Sequence, residues 1–294
     1  MPELLDKLEE SGLSPRAVLA SLAALLLALI LVILAFRHLK GGAGPEEVPG
    51  QEPEAEAPVL VTRQQIDALT YDDSTLGTVR WTLSREQLEE LNRVLHEYGI
   101  TTAEDISQFL AQAAVESLGG SALTEWGDEA YFQDRGYTAG TRGAGYLHLT
   151  FGYGQMAFST WLMKKYMPEL ADITYANPAN HGREDISAAY YAALQTAANM
   201  GLDVSRYSRV VHDRRDPEET GYTTGADYIA EAFAWESAAY FWHISGVSKA
   251  FLNFPTSLNT DIASDIVGGS NWQSRREAYT AYYPVFAAEE KAAA

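Results

Sequence analysis

The chain has 294 residues, of which 47% are hydrophobic and 21% are charged, and its formal net charge is −19. Such an acidic chain is not expected to bind nucleic acid, because contacts with phosphates need basic patches. It contains no cysteine, which excludes disulfide bonds and thiolate metal sites. The length suits one globular domain of roughly 200 residues or more, preceded by a shorter segment.

The N-terminal region predicts a membrane anchor. After a short segment over residues 1–16, residues 17–36 form a run of 20 residues without a charge. As a helix this run would reach about 30 Å, the thickness of the hydrocarbon layer. A cleaved signal peptide is the alternative, but the run is long, the preceding segment is acidic and no clear cleavage site follows. We therefore predict a single-pass protein of the cell membrane, although the Lys and Arg counts do not decide its orientation.

The rest of the chain divides into three parts. Residues 37–60 are acidic and rich in proline, which is typical of an extended linker. Residues 61–285 have a globular composition, and residues 286–294 predict a disordered tail. The globular part predicts helices far more than strands, so its fold class is mainly α with at most a small sheet.

Individual helices follow from caps and periodicity. Ser84 is expected to begin a helix that ends at Gly99, and Thr101 with Glu104 form a capping box for the next helix, which ends at Glu116. The alternation of Tyr146 to Thr150 predicts a short strand. Further helices are expected over residues 155–167, 184–200 and 226–243, the last being apolar nearly all round and therefore central.

Glu116 is the most informative residue, because it ends an apolar helix just before two glycines. With 3.6 residues per turn, Ile106, Phe109 and Ala113 precede it on one face. A carboxyl group at the end of a core-facing stripe is partly dehydrated, which favours its protonated form, as a general acid requires. Glu125 follows nine residues later in a polar loop, and such a pair of carboxyl groups fits glycoside hydrolysis.

Four segments carry a more specific pattern. They read Phe-Leu-Ala-Gln-Ala-Ala-Val-Glu-Ser-Leu-Gly-Gly over 109–120, Arg-Gly-Ala-Gly-Tyr-Leu-His-Leu-Thr over 142–150, Glu-Ser-Ala-Ala-Tyr-Phe-Trp over 236–242 and Asp-Ile-Val-Gly-Gly-Ser-Asn over 265–271, the last followed by Arg275 and Arg276. In this order they resemble the FLAQ-x-x-HES-GG, GRG-Y-I-Q-L-T, S-A-A-W-F-W and I-N-G-G-x-N-G segments of glycoside hydrolase family 19, which comprises chitinases and lysozyme-like endolysins. The resemblance covers roughly residues 62–285.

The resemblance implies a lysozyme-like, two-lobed helical domain with a small β-hairpin and an inverting mechanism. Glu116 would be the general acid, and Glu125 the base that activates water on the opposite face of the sugar, with Glu129 as the alternative base. Inversion requires about 6.5–9.5 Å between the two carboxyl groups. Arg276 or Arg275 is expected near the base, where a charge-assisted hydrogen bond would keep it ionised.

The resemblance also implies a polysaccharide substrate, without a cofactor and without a metal ion. Aromatic rings stack on sugars, although in a chain with 17 tyrosines several belong to the core. Four family positions differ: they are Val115, His148, Gly154 and Val267 here, which favours a peptidoglycan glycan strand over chitin. The residues expected to contact the substrate are Trp126, Tyr131, Tyr146, His148, Thr150, Asn271 and Arg276.

Two functions therefore stay open. The first is a membrane-anchored hydrolase of β-1,4 glycan bonds whose catalytic domain lies on the extracytoplasmic side. The second is an inactive relative that binds glycan as a cell-wall scaffold. For Glu116 itself the alternative is an ordinary solvent-facing glutamate. Glu236, on the apolar face of the predicted central helix, is either a third acid of the site or a structural glutamate with satisfied hydrogen bonds.

Overall fold

The computed structural model describes residues 59–211, 223–251, 256–268 and 270–293. Residues 57–294 form one compact unit. The predicted N-terminal segment 1–16, the predicted transmembrane run 17–36 and nearly all of the predicted linker 37–60 lie outside the described residues.

The predicted fold class is wrong in its membrane component. Among the residues that the structure describes, no helix combines the length and the apolar composition needed to cross a bilayer. The longest described helix, Trp272–Ala293, has 22 residues but carries Arg275, Arg276 and Glu277 in its first turns. Ionised side chains in the hydrocarbon layer are costly, so this helix is not a membrane span. The described fold is mainly helical with a small sheet.

Twelve α-helices and one two-stranded sheet make up the described ranges. The strands β1 (Thr70–Asp73) and β2 (Gly77–Arg80) pair antiparallel, with Thr70 opposite Arg80. The helices are α1 (Arg63–Ala68), α2 (Arg85–Glu97), α3 (Ala103–Ser117), α4 (Glu129–Asp134), α5 (Gly152–Tyr166), α6 (Arg183–Asn199), α7 (Ser205–Ser208), α8 (Gly225–Ala232), α9 (Ala234–Ile244), α10 (Val247–Phe251), α11 (Asn259–Val267) and α12 (Trp272–Ala293).

Helix caps explain where α2 and α3 begin. The Ser84 hydroxyl accepts from the backbone N–H of Gln87 at 3.2 Å, which confirms the predicted start of α2. The predicted capping box of α3 is displaced by one residue, because Thr102 rather than Thr101 accepts from the N–H of Asp105, at 3.1 Å. The side chain of Glu104 instead turns toward the C-terminal helices.

The core is built around α3 and α9. The ring of Phe109 on α3 lies 5.8 Å from that of Trp235 and 5.4 Å from that of Trp242, both on α9. Trp235 and Trp242 belong to a first buried apolar cluster, which also contains residues of α2, α3 and α12. Tyr240 of the same helix belongs to a second cluster with residues of α5, α6 and α8. Helix α9 therefore contributes to both clusters.

The predicted helix 226–243 is interrupted. Phe233, with φ −144° and ψ 28°, separates α8 from α9. The carbonyl of Ala234 at the break accepts from the N–H of Tyr146 at 3.2 Å, so the break joins α9 to the loop that follows Arg142. The close approach requires Gly145, at φ +79°, because a Cβ there would lie 2.2 Å from the Ser237 hydroxyl oxygen. This tertiary contact overrides the continuous apolar pattern.

Two smaller predictions differ from the structure. The stretch from Tyr146 to Thr150 is a turn flanked by isolated bridges rather than a strand, because His148 adopts φ +48°. The hairpin of the fold lies at β1 and β2. Helix α12 continues to Ala293, where we predicted a disordered tail from residue 286. The alanine- and glutamate-rich sequence of this end favours helix.

Glu236 is a structural residue. Only 1% of its side chain is exposed, and it accepts from the hydroxyl of Tyr98 at 2.6 Å, from the Lys165 ammonium at 2.6 Å and from Arg93. Burial alone would raise the pKa of Glu236, but the bonds from Lys165, Tyr98 and Arg93 outweigh it and lower the pKa below its ordinary value. The cluster joins α2, α5 and α9, and the hypothesis of a third acid in the site is wrong.

Acid should weaken this cluster. The pKa of Glu236 is lower in the folded state than its unfolded-state value of 4.5. The Glu236 carboxylate therefore contributes fully to stability above pH 4.5, and this contribution is lost as the pH falls through the folded-state pKa. We expect Glu236→Gln to reduce the free energy of unfolding by about 2 kcal/mol at pH 7, since two partly exposed cations lose their common buried anion. Urea unfolding at pH 7 and pH 3 measures this, and the difference from the wild type should shrink at pH 3.

A matched control is Glu89→Gln, which removes the exposed partner of Arg85 on the same helix as Arg93. Solvent screens such an exposed pair, so this control should change stability little at either pH. If Glu236→Gln lowers the free energy of unfolding by the same amount at pH 7 and at pH 3, the assigned role of the Glu236 carboxylate is contradicted.

Candidate active site

Glu116 ends a stripe of polar side chains on α3. Glu104, Gln108, Gln112 and Glu116 follow one another at intervals of four residues, so they share one face of the helix. The Gln108 amide donates to the hydroxyl of Thr260 at 3.0 Å, and the Gln112 amide donates to the hydroxyl of Ser264, also on α11, at 3.2 Å. The predicted apolar stripe forms the adjacent, core-facing side. Glu116 is 20% exposed, so its carboxyl group lies at the surface end of a buried polar seam.

Arg275 holds this end of the seam. Its side chain is only 2% exposed. One terminal nitrogen donates to Oε1 of Glu116, the other donates to Oε1 of Gln112, and Nε donates to the carbonyl of Ser270 at 2.9 Å. The buried Arg275 guanidinium therefore fixes Oε1 of Glu116, and it does not bind Oε2.

The predicted site residue Arg276 lies elsewhere. Its guanidinium binds both carboxylate oxygens of Asp261, at 2.8 and 2.9 Å, with half of its side chain exposed. Successive residues of a helix point about 100° apart, so only one of the two arginines can reach α3. The structure selects Arg275, and it places this arginine on the proposed acid rather than near the proposed base.

Glu125 is held by hydroxyl and amide donors. Its Oε1 accepts from the hydroxyls of Tyr137 at 2.7 Å and Tyr131 at 3.2 Å, and its Oε2 accepts from the N–H of Gly143 at 3.2 Å. Burial, followed by the bond to Glu125, raises the pKa of Tyr137, so its hydroxyl remains a donor at neutral pH. These neutral donors orient the carboxylate.

Loss of the Tyr137 hydroxyl should impair the site without unfolding it. A hydrogen bond to a charged group contributes about 1.5–3 kcal/mol, which corresponds to a loss of about 10-fold or more in glycan hydrolysis for Tyr137→Phe. Release of reducing ends from purified peptidoglycan measures this. The control is Tyr191→Phe, whose side chain is exposed. Equal rates for Tyr137→Phe and the wild type would show that the orientation of Glu125 is irrelevant.

Glu116 and Glu125 open into the same cleft, which has a volume of about 610 Å³. This is within the usual range for small-molecule and oligomer sites, about 300–1,000 Å³. Two of the predicted substrate contacts, His148 and Thr150, line it together with the two acids. Other lining residues are Tyr137, Leu147, Leu149, Phe151, Tyr153, Gly154, Tyr240, Phe241, Ile266 and Val267.

Backbone strain marks the same region. Among the described residues, positive φ outside glycine occurs at Leu118, His148, Phe151 and Asn271, with values of 48–70°. Leu118 follows Glu116 by two residues, Asn271 precedes Arg275 by four, and the other two line the cleft. Such conformations persist where the surrounding structure over-determines them, and they cluster at functional sites. His148 and Phe151, which line the cleft, therefore mark it as a candidate site, whereas Leu118 is the left-handed C-cap of α3 and asparagine at position 271 tolerates positive φ.

Several predicted residues do not line the cleft. Trp126 is 69% exposed outside it, and Tyr146 is fully buried with its ring stacked 3.5 Å from that of Trp235. Tyr131 reaches the site only through Glu125. Asn271 is exposed, and its carbonyl accepts from the N–H of Arg275. Glu129, the alternative base, is also exposed and accepts from the N–H of Ala139 at 3.1 Å.

Two residues of the site, Tyr137 and Gln112, were not predicted from the sequence. The i, i+4 repetition of polar residues before Glu116 was a usable signal for Gln112, while nothing local marks Tyr137, which approaches Glu125 from twelve residues away. Of the four family positions that differ, His148, Gly154 and Val267 line the cleft, and Val115 is buried in the core.

In the described ranges, no group of three or more His, Asp or Glu side chains is arranged to hold a metal ion. Comparisons of the chain with protein-family models, with curated proteins and with solved structures found no match. The resemblance to glycoside hydrolase family 19 thus remains a prediction based on the four segments.

Proposed function

We propose that this chain hydrolyses β-1,4 bonds of a peptidoglycan or chitin-like glycan by an inverting mechanism. The observation that carries the proposal is the common cleft of Glu116 and Glu125. The two carboxyl groups have different surroundings, which is how a pair of acids acquires different roles. Arg275 fixes one oxygen of Glu116, and hydroxyl and amide donors fix Glu125.

In this proposal the Oε2 atom of Glu116 carries the proton that passes to the glycosidic oxygen of the leaving sugar. Glu125 removes a proton from a water molecule, which attacks the anomeric carbon from the opposite face. The donors on Glu125 keep its carboxylate directed into the cleft. Lining side chains with an apolar surface, such as Phe151, Tyr153 and Phe241, provide area for the faces of sugar rings.

The experiment is incubation of the full chain with purified peptidoglycan and, separately, with chitin oligomers, followed by assay of new reducing ends. Glu125→Gln should abolish release from whichever polymer is cut, and Glu129→Gln, in an exposed position nearby, should leave it unchanged. Reducing ends formed equally by Glu125→Gln would contradict the assignment of the base.

The second candidate is a glycan-binding protein without hydrolytic activity. The family position occupied by histidine in the HES motif is Val115 here, and its side chain is in the apolar core rather than in the cleft. Pull-down with insoluble peptidoglycan distinguishes the candidates. Binding that is unchanged by Glu125→Gln, together with no release of reducing ends by the wild type, would favour this second function.

A further inference from the structure

The imidazole of His148 lies near the carboxyl group of Glu116. Its Nδ1 lies 3.5 Å from Oε2, on the carboxyl oxygen that Arg275 does not bind. Its other ring nitrogen, Nε2, lies 3.2 Å from the carbonyl of Ala122. The imidazole therefore stands between a backbone acceptor and the catalytic oxygen of the proposed acid.

The contact with Ala122 decides which ring nitrogen carries the proton. A carbonyl can only accept, so Nε2 must be protonated to make this bond. In neutral imidazole Nδ1 is then an acceptor, and its lone pair faces Oε2 of Glu116. Two lone pairs repel each other, so neutral His148 favours a proton on Oε2 and acts against the Arg275 guanidinium, which favours the carboxylate. Doubly protonated imidazole would reverse the polarity and favour the Glu116 carboxylate.

The backbone fixes His148 in this position. At φ +48° the residue is strained, and the Thr150 hydroxyl donates to its carbonyl at 2.7 Å. Gly143 lies against it, since a Cβ there would approach the Cβ of His148 to 2.8 Å. Strain held by surrounding contacts is expected where the orientation of a side chain matters for function.

We propose that His148 is a positioning residue that keeps the transferable proton of Glu116 on Oε2. This inference rests on the proposed function and adds the control of its acid. Neutral His148 presents Nδ1 as an acceptor 3.5 Å from Oε2 of protonated Glu116, so the proton stays on the oxygen that Arg275 does not bind. Protonated His148 binds Glu116 as an anion and removes the acid from use. Two charged or titratable groups belong to this contact, Glu116 and its partner Arg275. The other titratable groups line the cleft: Glu125, Tyr137, Tyr153 and Tyr240.

The test compares pH–rate profiles of the full-length wild type and His148→Asn on peptidoglycan. Asparagine tolerates positive φ and does not titrate. We expect the variant to be several-fold and at most about 10-fold slower at its optimum, the effect of one interaction between uncharged polar groups. Its activity should also fall at a lower pH on the alkaline side, because nothing then favours the proton on Oε2. His181→Asn, an exposed histidine, should match the wild type. A His148→Asn profile with the wild-type shape would overturn the inference.

A second readout separates this inference from the proposed hydrolysis. Nitrogen-15 chemical shifts of the imidazoles report which ring nitrogen carries the proton. We expect the Nε2–H form for His148 in the neutral state, and a His148 titration curve that shifts in Glu116→Gln but not in Glu129→Gln. A wild type that is inactive but shows this coupling would contradict only the hydrolase. A His148 signal insensitive to Glu116→Gln would contradict the pairing, whatever the activity.

Discussion

Glu116→Gln should lower glycan hydrolysis by about 10²–10⁴-fold, the contribution expected of a positioned general acid. Glutamine keeps the shape of the side chain and an oxygen acceptor for Arg275, but it has no proton to give to the leaving sugar. The fold should therefore persist while the leaving group departs unprotonated. Reducing ends released per minute from purified peptidoglycan measure the effect, and the unfolding midpoint in urea verifies that the variant is folded.

The control for this prediction is Glu97→Gln. Glu97 is on α2, where it pairs with Arg93 and Lys165 and does not line the cleft. It should keep near wild-type turnover, although it removes the same charge. Hydrolysis by Glu116→Gln at the rate of this control would mean that another group donates the proton.

Arg275→Met should have the largest effect on stability, about 3 kcal/mol, because it leaves several hydrogen-bond acceptors around a buried side chain without their donor. Methionine preserves much of the buried apolar volume but leaves Oε1 of Gln112 and Oε1 of Glu116 without their donor. The carbonyl of Ser270 loses its partner as well. Urea unfolding monitored by tryptophan fluorescence gives the free energy of unfolding, and hydrolysis should fall with the orientation of Glu116.

The adjacent arginine provides the control. Arg276→Met removes an exposed ion pair with Asp261, which should lower stability far less than Arg275→Met and leave hydrolysis unchanged. The two variants have the same composition and differ by one position in α12. Equal losses of stability in the two would contradict the assignment of Arg275 as the residue that holds Glu116.

The difference between these arginines shows what the sequence could not provide. The motif predicts a trailing arginine, but its reach depends on the rotation of α12, which begins after the strained residue Asn271. The carboxylates were more predictable. Glu116 is placed by the helix that ends at Ser117, and the glycines after it return the chain toward Glu125. That the two carboxyl groups share one cleft, however, could be seen only in the folded structure.

Aromatic residues were the least predictable. Tyr146 and Tyr137 occur in similar glycine-rich surroundings, yet Tyr146 is stacked in the core and Tyr137 binds Glu125. Composition and local pattern do not distinguish these outcomes, because both depend on contacts with distant segments. The break at Phe233 has the same origin, since the partner of the exposed carbonyl is Tyr146, far away in sequence. The capped starts of α2 and α3 were predicted to within one residue, whereas α5, which has no side-chain cap, begins at Gly152 instead of at the predicted residue 155.

The anomeric form of the first product tests the central claim most directly. Inversion at a β-1,4 bond gives an α reducing end, because water enters opposite to the departing oxygen. Proton NMR of the full chain acting on soluble peptidoglycan strands should show the α anomer first, before mutarotation equilibrates the two forms. A β anomer appearing first, or no new reducing end at all, would contradict the acid–base pair of Glu116 and Glu125.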